Sequence, residues 1–113
     1  MKLSSIASSP EREVSHNPVI KKHVLIDNGQ IERITNFSRA VFPPGETAPL
    51  HAHTDMTEVF YIESGCGEME VDGQCVSLPA GTCITVEPGE AHELRNVGGQ
   101  GMVVLYFGVV VSL

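Results

Sequence analysis

Turn-forming residues divide this 113-residue chain into short segments, and this division most restricts what it can fold into. Eleven glycines and seven prolines fall largely between runs of β-branched and aromatic residues. The clearest turns are Asn28-Gly29, Pro43-Pro44-Gly45, Asp72-Gly73, Pro79-Ala80-Gly81 and Glu87-Pro88-Gly89. No window shows sustained helical spacing, whereas about eight short strands at such intervals are typical of a sandwich or barrel. The chain is therefore predicted to be all-β.

The length of the chain allows one hydrophobic core. Residues 1–22 are polar, include Pro10 and Pro18, and show no lasting apolar period. We expect them to form an N-terminal arm that is loosely held or borrowed by a neighbouring subunit. Residues 23–113 are expected to form a single barrel domain, so any site lies inside that domain or between copies of it.

The charge balance is acidic, with 14 Asp and Glu against 7 Lys and Arg, which gives a net charge of −7 when histidines are neutral. Lys21-Lys22 is the longest basic run, so nucleic acid is not expected as a partner. The longest uninterrupted apolar stretch, residues 102–107, is far shorter than the ~20 residues of a spanning helix. The N-terminus is too polar for a secretion signal. We therefore expect a cytoplasmic protein without a membrane partner.

Three cysteines, Cys66, Cys75 and Cys83, cannot all pair with one another. A two-residue turn at residues 72–73 places Cys75 close to the turn and Cys66 much further along the same hairpin. A bridge between these two is implausible because bridged Cα atoms lie within about 7 Å of each other. Cys83 could still approach either one. We expect reduced thiols that pack as small hydrophobic side chains.

Four side chains suited to metal binding stand out: His51, His53, Glu58 and His92. Two histidines that are two residues apart on a strand point to the same face. The turn-like residues 54–57 can return Glu58 to that face, and His92 follows a turn and would begin a new strand. Such a pair of histidines also occurs in strands by chance, and His16 and His23, without partners at ligand spacing, are expected to be ordinary surface or core residues. Three imidazoles and a carboxylate suit Mn, Fe, Co, Ni, Cu or Zn rather than Ca or Mg.

Glycines and one asparagine flank these residues at fixed intervals: Gly45, Gly65, Gly81, Gly89 and Asn96. The whole pattern resembles the two signature motifs of the cupin superfamily, in the small single-domain microbial form of the cupin 2 conserved-barrel type. The resemblance implies a double-stranded β-helix, or jelly-roll β-barrel, in which His51, His53, Glu58 and His92 converge on one divalent transition metal. One departure is Glu87, which stands where the family usually has proline.

An octahedral ion with four protein ligands keeps two positions for water, a chelating substrate or dioxygen. We therefore expect a metal-dependent oxygenase or isomerase acting on a small molecule; the alternative is a non-catalytic metal-binding or small-ligand sensor. Tyr106 is the candidate proton donor. The predicted pocket wall consists of Phe42, Met56, Phe60, Ile62 and Leu94. For Phe42, Met56 and Tyr106, plain core packing is the alternative.

Two apolar segments predict self-association. Residues 102–113 are almost continuously apolar, which suits a strand buried on both faces, and residues 31–42 are expected to offer an exposed sheet edge. We expect a homodimer that buries one of these segments.

Overall fold

The computed structural model of the chain describes residues 1–111, which form ten strands and no helix. The strands are β1 (Glu11–Val14), β2 (Asn17–Ile26), β3 (Ile34–Phe42), β4 (Thr47–His51), β5 (Met56–Ser64), β6 (Cys66–Val71), β7 (Gln74–Pro79), β8 (Cys83–Val86), β9 (His92–Asn96) and β10 (Met102–Val110). A six-stranded sheet has the order β1-β2-β3-β10-β5-β8, and a four-stranded sheet has the order β4-β9-β6-β7. All pairs are antiparallel, and the two sheets form a jelly-roll β-barrel, which confirms the predicted fold class.

The core lies between the two sheets and is built from alternate residues of their strands. In β10, Met102 and Val104 are fully buried, whereas Val103 and Leu105 are only partly buried. The buried hydrophobic residues are Ile20, Ala40, Phe42, Phe60, Ile62, Met69, Leu78, Val86, Leu94, Met102 and Val104. Inward and outward sides of each strand are therefore well defined, and this alternation decides which residues can reach the interior.

The N-terminal region differs from the expected arm, since the boundary at residue 22 falls inside β2. β1 and β2 form an antiparallel hairpin that adds to the edge of the six-stranded sheet. Lys21 of this hairpin pairs with Glu13 across the strands at 3.3 Å, and Ile20 is fully buried. An edge hairpin that buries few apolar side chains has a largely polar sequence, which is why periodicity did not reveal it.

The two segments predicted to mediate self-association also differ in detail from expectation. β3 begins at Ile34 and lies between β2 and β10, so it is not an edge strand. β10 lies between β3 and β5 and ends at Val110. Residues 112–113, the end of the predicted apolar segment and of the predicted barrel domain, lie outside the described residues. No helix among residues 1–111 is long and apolar enough to cross a membrane.

The hairpin of β6 and β7 has the register predicted from its turn, with Glu70 opposite Cys75. Its turn residues Asp72 and Gly73 both have positive φ, 47° and 82°, as a tight two-residue turn requires. All three cysteines are free and exposed, so the expectation that they pack as small hydrophobic side chains is wrong. They occupy outward positions of their strands, next to inward residues such as Gly67, which is buried.

Candidate metal centre

Four side chains meet at one end of the barrel interior, around a single carboxylate oxygen. His51 is the last residue of β4, Glu58 lies in β5, and His92 is the first residue of β9. The Nε2 atoms of His51 and His53 each lie 3.7 Å from Oε1 of Glu58, and that of His92 lies 3.0 Å from it. In a regular strand, residues an odd number apart, such as His53 and Glu58, point to opposite faces. Residues 52–55 between β4 and β5 are not extended strand, so Glu58 can point to the same side as the histidines.

The rings of two histidines are held in place from behind. Nδ1 of His51 donates a hydrogen bond to the carbonyl oxygen of Pro49 at 2.9 Å, and Nδ1 of His92 donates to that of Glu90 at 3.0 Å. A carbonyl oxygen can only accept, so in each neutral ring the proton resides on Nδ1 and the lone pair on Nε2. Histidines that bind metals are usually held by such a contact, which directs Nε2 toward the ion.

Two atoms at the centre of this group are buried without hydrogen-bond partners. Among the described residues, only Oε1 of Glu58 and Nε2 of His92 are buried side-chain polar atoms left in this state. They lie 3.0 Å apart without the alignment of a hydrogen bond. Burial of polar atoms without partners costs free energy of folding. A cation between these two acceptor atoms would stabilise both of them.

The spacing of these atoms fits a first-row transition metal. Two ligand atoms that each lie about 2.1 Å from a shared ion, at a right angle, are about 3 Å apart. The separation of 3.0 Å between His92 and Glu58 matches that value, and the separations of 3.7 Å for His51 and His53 correspond to a wider angle at the ion. Ligand atoms of His51, Glu58 and His92 lie within 4.8 Å of one another, as a metal site requires. His53 is near Glu58 but outside this tighter group, and its side chain is 39% exposed.

The electrostatic environment keeps the carboxylate ionised. Burial by itself would raise the pKa of Glu58, but the neighbouring imidazoles of His51, His92 and His53, which stabilise the carboxylate when they are protonated, lower it to about 2. The pKa of His51 is raised above its usual value, mainly because Glu58 stabilises the imidazolium. At neutral pH, Glu58 therefore offers a full negative charge, which suits a cation.

Main-chain contacts tie the loop of His53 to the rest of the site. The N–H of Gly89 donates to the carbonyl oxygen of His53 at 2.7 Å, and the N–H of Val111 donates to that of Asp55 at 2.9 Å. Gly89 has φ of 87°, a conformation that favours glycine. Glu87, at the position where proline was expected, is exposed, and its N–H donates to the Glu90 carboxylate at 2.7 Å. The turn before His92 thus forms without that proline.

A cavity of about 340 Å³ opens beside these side chains. Four of the five residues predicted for its wall line it: Phe42, Met56, Phe60 and Leu94. Ile62 does not, because it is fully buried in the core at a different level of β5. Tyr106 also lines the cavity and stacks on Phe60, with ring centroids 5.7 Å apart. Burial raises the pKa of Tyr106 to about 12, so its hydroxyl is protonated at neutral pH.

Part of the cavity wall comes from the N-terminal hairpin, which the sequence reasoning placed outside the barrel. The wall residues missed in this way are Val14, Ser15, His16 and Lys22. His16, expected to be an ordinary surface or core residue, is therefore part of the cavity, whereas His23 is not among its lining residues. The alternation of Ile20, Lys22 and Val24 along one side of a strand was the signal that could have found Lys22.

Comparison with known proteins agrees with the fold. The family described as Cupin domain matches residues 38–109. A predicted oxalate decarboxylase from Thermotoga maritima has a crystal structure that superimposes with a TM-score of 0.88 at 23% identity, covering 98% of this chain and all of that one. A sugar phosphate isomerase of the cupin superfamily from Silicibacter pomeroyi superimposes with a TM-score of 0.80 at 18% identity, covering 96% of this chain and 75% of that one.

A relative in sequence is an uncharacterized protein of Methanocaldococcus jannaschii, 29% identical over 70 residues. The match covers 62% of this chain and 56% of that protein, so the chain spans little more than half of its length. The family match, by contrast, extends from β3 to β10 and includes all four ligand candidates and Tyr106. This chain therefore belongs to the cupin domain family.

Proposed function

We propose that the protein binds one divalent transition metal through His51, His53, Glu58 and His92, and that it acts on a small molecule as an oxygenase or isomerase. The observation that carries the proposal is the buried Oε1 of Glu58, which lacks a hydrogen-bond partner among the described residues although three imidazole nitrogens lie within 3.7 Å. A buried carboxylate with this surrounding is poorly satisfied by protein groups alone.

The donor set indicates which metals are suitable. Three imidazoles and one carboxylate favour Fe, Mn, Co, Ni, Cu or Zn, because Ca and Mg prefer oxygen ligands. When bound, such an ion would supply a Lewis acid for a substrate oxygen or, if redox-active, a site for dioxygen chemistry. Four protein ligands would leave an octahedral ion open toward the cavity, in contrast to a closed structural zinc site.

The cavity supports a small-molecule reaction rather than a purely structural site. Its volume of about 340 Å³ is within the range of ligand pockets, roughly 300–1,000 Å³. Phe42, Phe60 and Leu94 would exclude water from one side of the bound molecule. Tyr106 would donate a hydrogen bond, and in an isomerisation a proton, to a substrate oxygen, because its raised pKa keeps the hydroxyl protonated.

Metal analysis tests the ligand set directly. Elemental analysis of protein purified without added metal is expected to find about one transition metal ion per chain. Glu58→Gln, His53→Ala and His92→Ala are each expected to lower that content at least about tenfold. His23→Ala is the matched control, because His23 contacts the Ser9 carbonyl and does not line the cavity. Stoichiometric metal in both Glu58→Gln and His92→Ala would show that the assignment is wrong.

Activity assays separate the two reaction classes from the non-catalytic alternative. Protein loaded anaerobically with Fe(II) is mixed with dicarbonyl, thiol or phenolic compounds and then given oxygen; oxygen consumption would support an oxygenase. Exchange of substrate hydrogen for deuterium, followed by NMR on enolisable sugars and keto acids, would support an isomerase. Tyr106→Phe is expected to slow turnover while leaving metal content unchanged. If no metal gives either signal, the sensor function is favoured instead.

A further inference from the structure

Lys22 is a lysine on the inward side of a barrel strand. It lies opposite Ala40 of β3, and Ala40 lies opposite Val104 of β10. Ala40 and Val104 are both fully buried, so this row of residues belongs to the interior. Lys22 also lines the cavity that contains the ligand candidates. Lys22 itself is half-buried, which is unusual for lysine, since most lysines are exposed.

The ammonium group of Lys22 forms no ion pair within the part of the chain that the structure describes. No carboxylate of residues 1–111 lies within 4.0 Å of its nitrogen. Lys21, its neighbour on the outward side, pairs with Glu13 at 3.3 Å, and Asp27 is bound by Arg12 at 3.0 Å. Burial, and then the charge of Arg12, lowers the pKa of Lys22, and the charge of Asp27 opposes this shift without reversing it.

With the proposed metal bound, the cavity would be locally positive in an otherwise acidic protein. Glu58 is the one carboxylate among the residues that line it, and the proposed function commits that carboxylate to a metal. Asn36 lines the same cavity and accepts a hydrogen bond from Ser38 through Oδ1, which leaves its amide group as a further donor. A cation and an amide donor facing a partly closed cavity form a favourable site for an oxyanion.

Lys22 and Glu58 lie at different levels of the barrel. The row of Lys22 crosses β10 at Val104, whereas Glu58 lies opposite Gly108. Four residues of an extended strand separate these rows by about 13 Å, part of which the lysine side chain spans. A ligand that contacts both ends must therefore be elongated.

We infer that Lys22 binds the anionic group, a carboxylate or a phosphate, of an elongated small molecule whose other end reaches His51, Glu58 and His92. The inference names the substrate class of the proposed function and rests on that function for the second end of the molecule. Lys22 thus favours molecules that have a polar group at each end, one of them anionic, over molecules that have a polar group at only one end.

Titration with linear acids tests this inference. Zinc-loaded protein is titrated calorimetrically with the dicarboxylates malonate to pimelate, with ω-phosphonocarboxylates of the same lengths, and with the monocarboxylates propionate to heptanoate. The variants are Lys22→Met, which removes the charge and keeps much of the stem, Lys22→Arg, which keeps the charge, and Lys21→Met as the matched control on the outward side. Thermal unfolding and metal content are measured on every sample.

Wild type, Lys22→Arg and Lys21→Met are each expected to bind at least one acid with two anionic ends about tenfold or more tightly than Lys22→Met does. This is the difference expected for the loss of a charge-assisted contact. Monocarboxylates are expected to bind all four proteins within about twofold. The preferred series, dicarboxylate or phosphonocarboxylate, identifies the anionic group.

Equal affinity of the acids with two anionic ends for wild type and folded Lys22→Met would overturn the inference. So would the absence, in both series, of any acid that binds wild type more tightly than its monocarboxylate. If wild type takes up neither zinc nor Fe, Mn, Co, Ni or Cu, the proposed function fails. The same titration of metal-free protein then tests the role of Lys22 by itself: binding that Lys22→Met weakens supports that role, and binding that is equal or absent refutes it.

Discussion

Asn96 is a buried polar residue that joins three parts of the barrel. Its amide nitrogen donates to the carbonyl oxygens of Phe42 at 2.9 Å and Gln100 at 2.7 Å. Its Oδ1 accepts from the N–H of Gly98 at 2.9 Å. The side chain is 2% exposed, so water cannot replace these bonds. Asn96 therefore fastens β9 to the end of β3 and to the turn that precedes β10.

Asn96→Ala is expected to lower the free energy of unfolding by about 2–4 kcal/mol, because it removes three hydrogen bonds and leaves the buried carbonyl group of Phe42 without this donor. Urea denaturation followed by circular dichroism measures the change. Asn28→Ala, at an exposed turn position, is the control and is expected to alter stability by no more than about 0.5 kcal/mol. Similar unfolding midpoints for the two variants would mean that the Asn96 bonds are not needed.

At the residue scale, the sequence identifies the ligand candidates better than it identifies their orientation. The spacing of His51, His53 and Glu58 among glycines can be read directly. The orientation of the imidazole rings cannot be read from the sequence, because it depends on hydrogen bonds to the main-chain carbonyls of Pro49 and Glu90. Every residue has such a carbonyl, so no residue type marks these contacts. The exposure of the cysteines was missed because the prediction rested on the general tendency of free cysteine to be buried and not on the inward or outward position of each cysteine in its strand.

At the scale of elements, the junction between β5 and β6 packs closely against the main chain of β10. Gly65 has φ of 93°, and a Cβ atom built on it would lie 2.8 Å from Cα of Met102. Because the obstructing atom is main chain of β10, it cannot move aside cheaply. Gly73, in the β6–β7 turn, has a similar φ of 82° but nothing within 4 Å of such a Cβ atom.

These two glycines separate backbone strain from steric conflict. Gly73→Ala is expected to cost about 1–2 kcal/mol of stability, the usual penalty of a left-handed conformation for alanine. Gly65→Ala is expected to cost about 1–3 kcal/mol more, since the turn must also move away from β10. Chemical denaturation of both variants gives the comparison. Equal losses would indicate that the turn at Gly65 shifts without resistance.

The element that sequence patterning failed to predict is the N-terminal hairpin, and its polar composition is the reason. β1 and β2 are joined by charged pairs such as Glu13 with Lys21, and few of their side chains are buried, so their apolar period is faint. The β6–β7 hairpin was predicted in register because its two-residue turn fixes the pairing locally. The missed hairpin mattered for the site, since it supplies Lys22 and His16 to the cavity wall.

At the scale of the whole molecule, the outer face of the six-stranded sheet is notably apolar. Val41 lies opposite Val103, and Tyr61 lies opposite Leu105, on the side away from the core. Val41 is 37% exposed and Tyr61 40% exposed. β3 and β10 are paired neighbours, so the two segments predicted from the sequence to mediate self-association share this one face. Arg39, opposite Leu105 on this face, pairs with Glu63 at 3.7 Å, so charged residues border these apolar side chains. Exposed apolar residues bordered by polar ones are typical of protein interfaces.

We predict that the protein is a homodimer through this face, with twice the mass of one chain in light scattering at micromolar concentration. Val41→Glu and Tyr61→Glu are expected to give folded monomers, because a dimer would have to bury the new carboxylates beside the apolar patch. Val97→Glu is the control: Val97 is 50% exposed but follows β9 of the four-stranded sheet, so the dimer should persist. A wild-type protein with the mass of a single chain would refute the prediction, and a dimer that both sheet variants leave intact would place the interface elsewhere on the barrel.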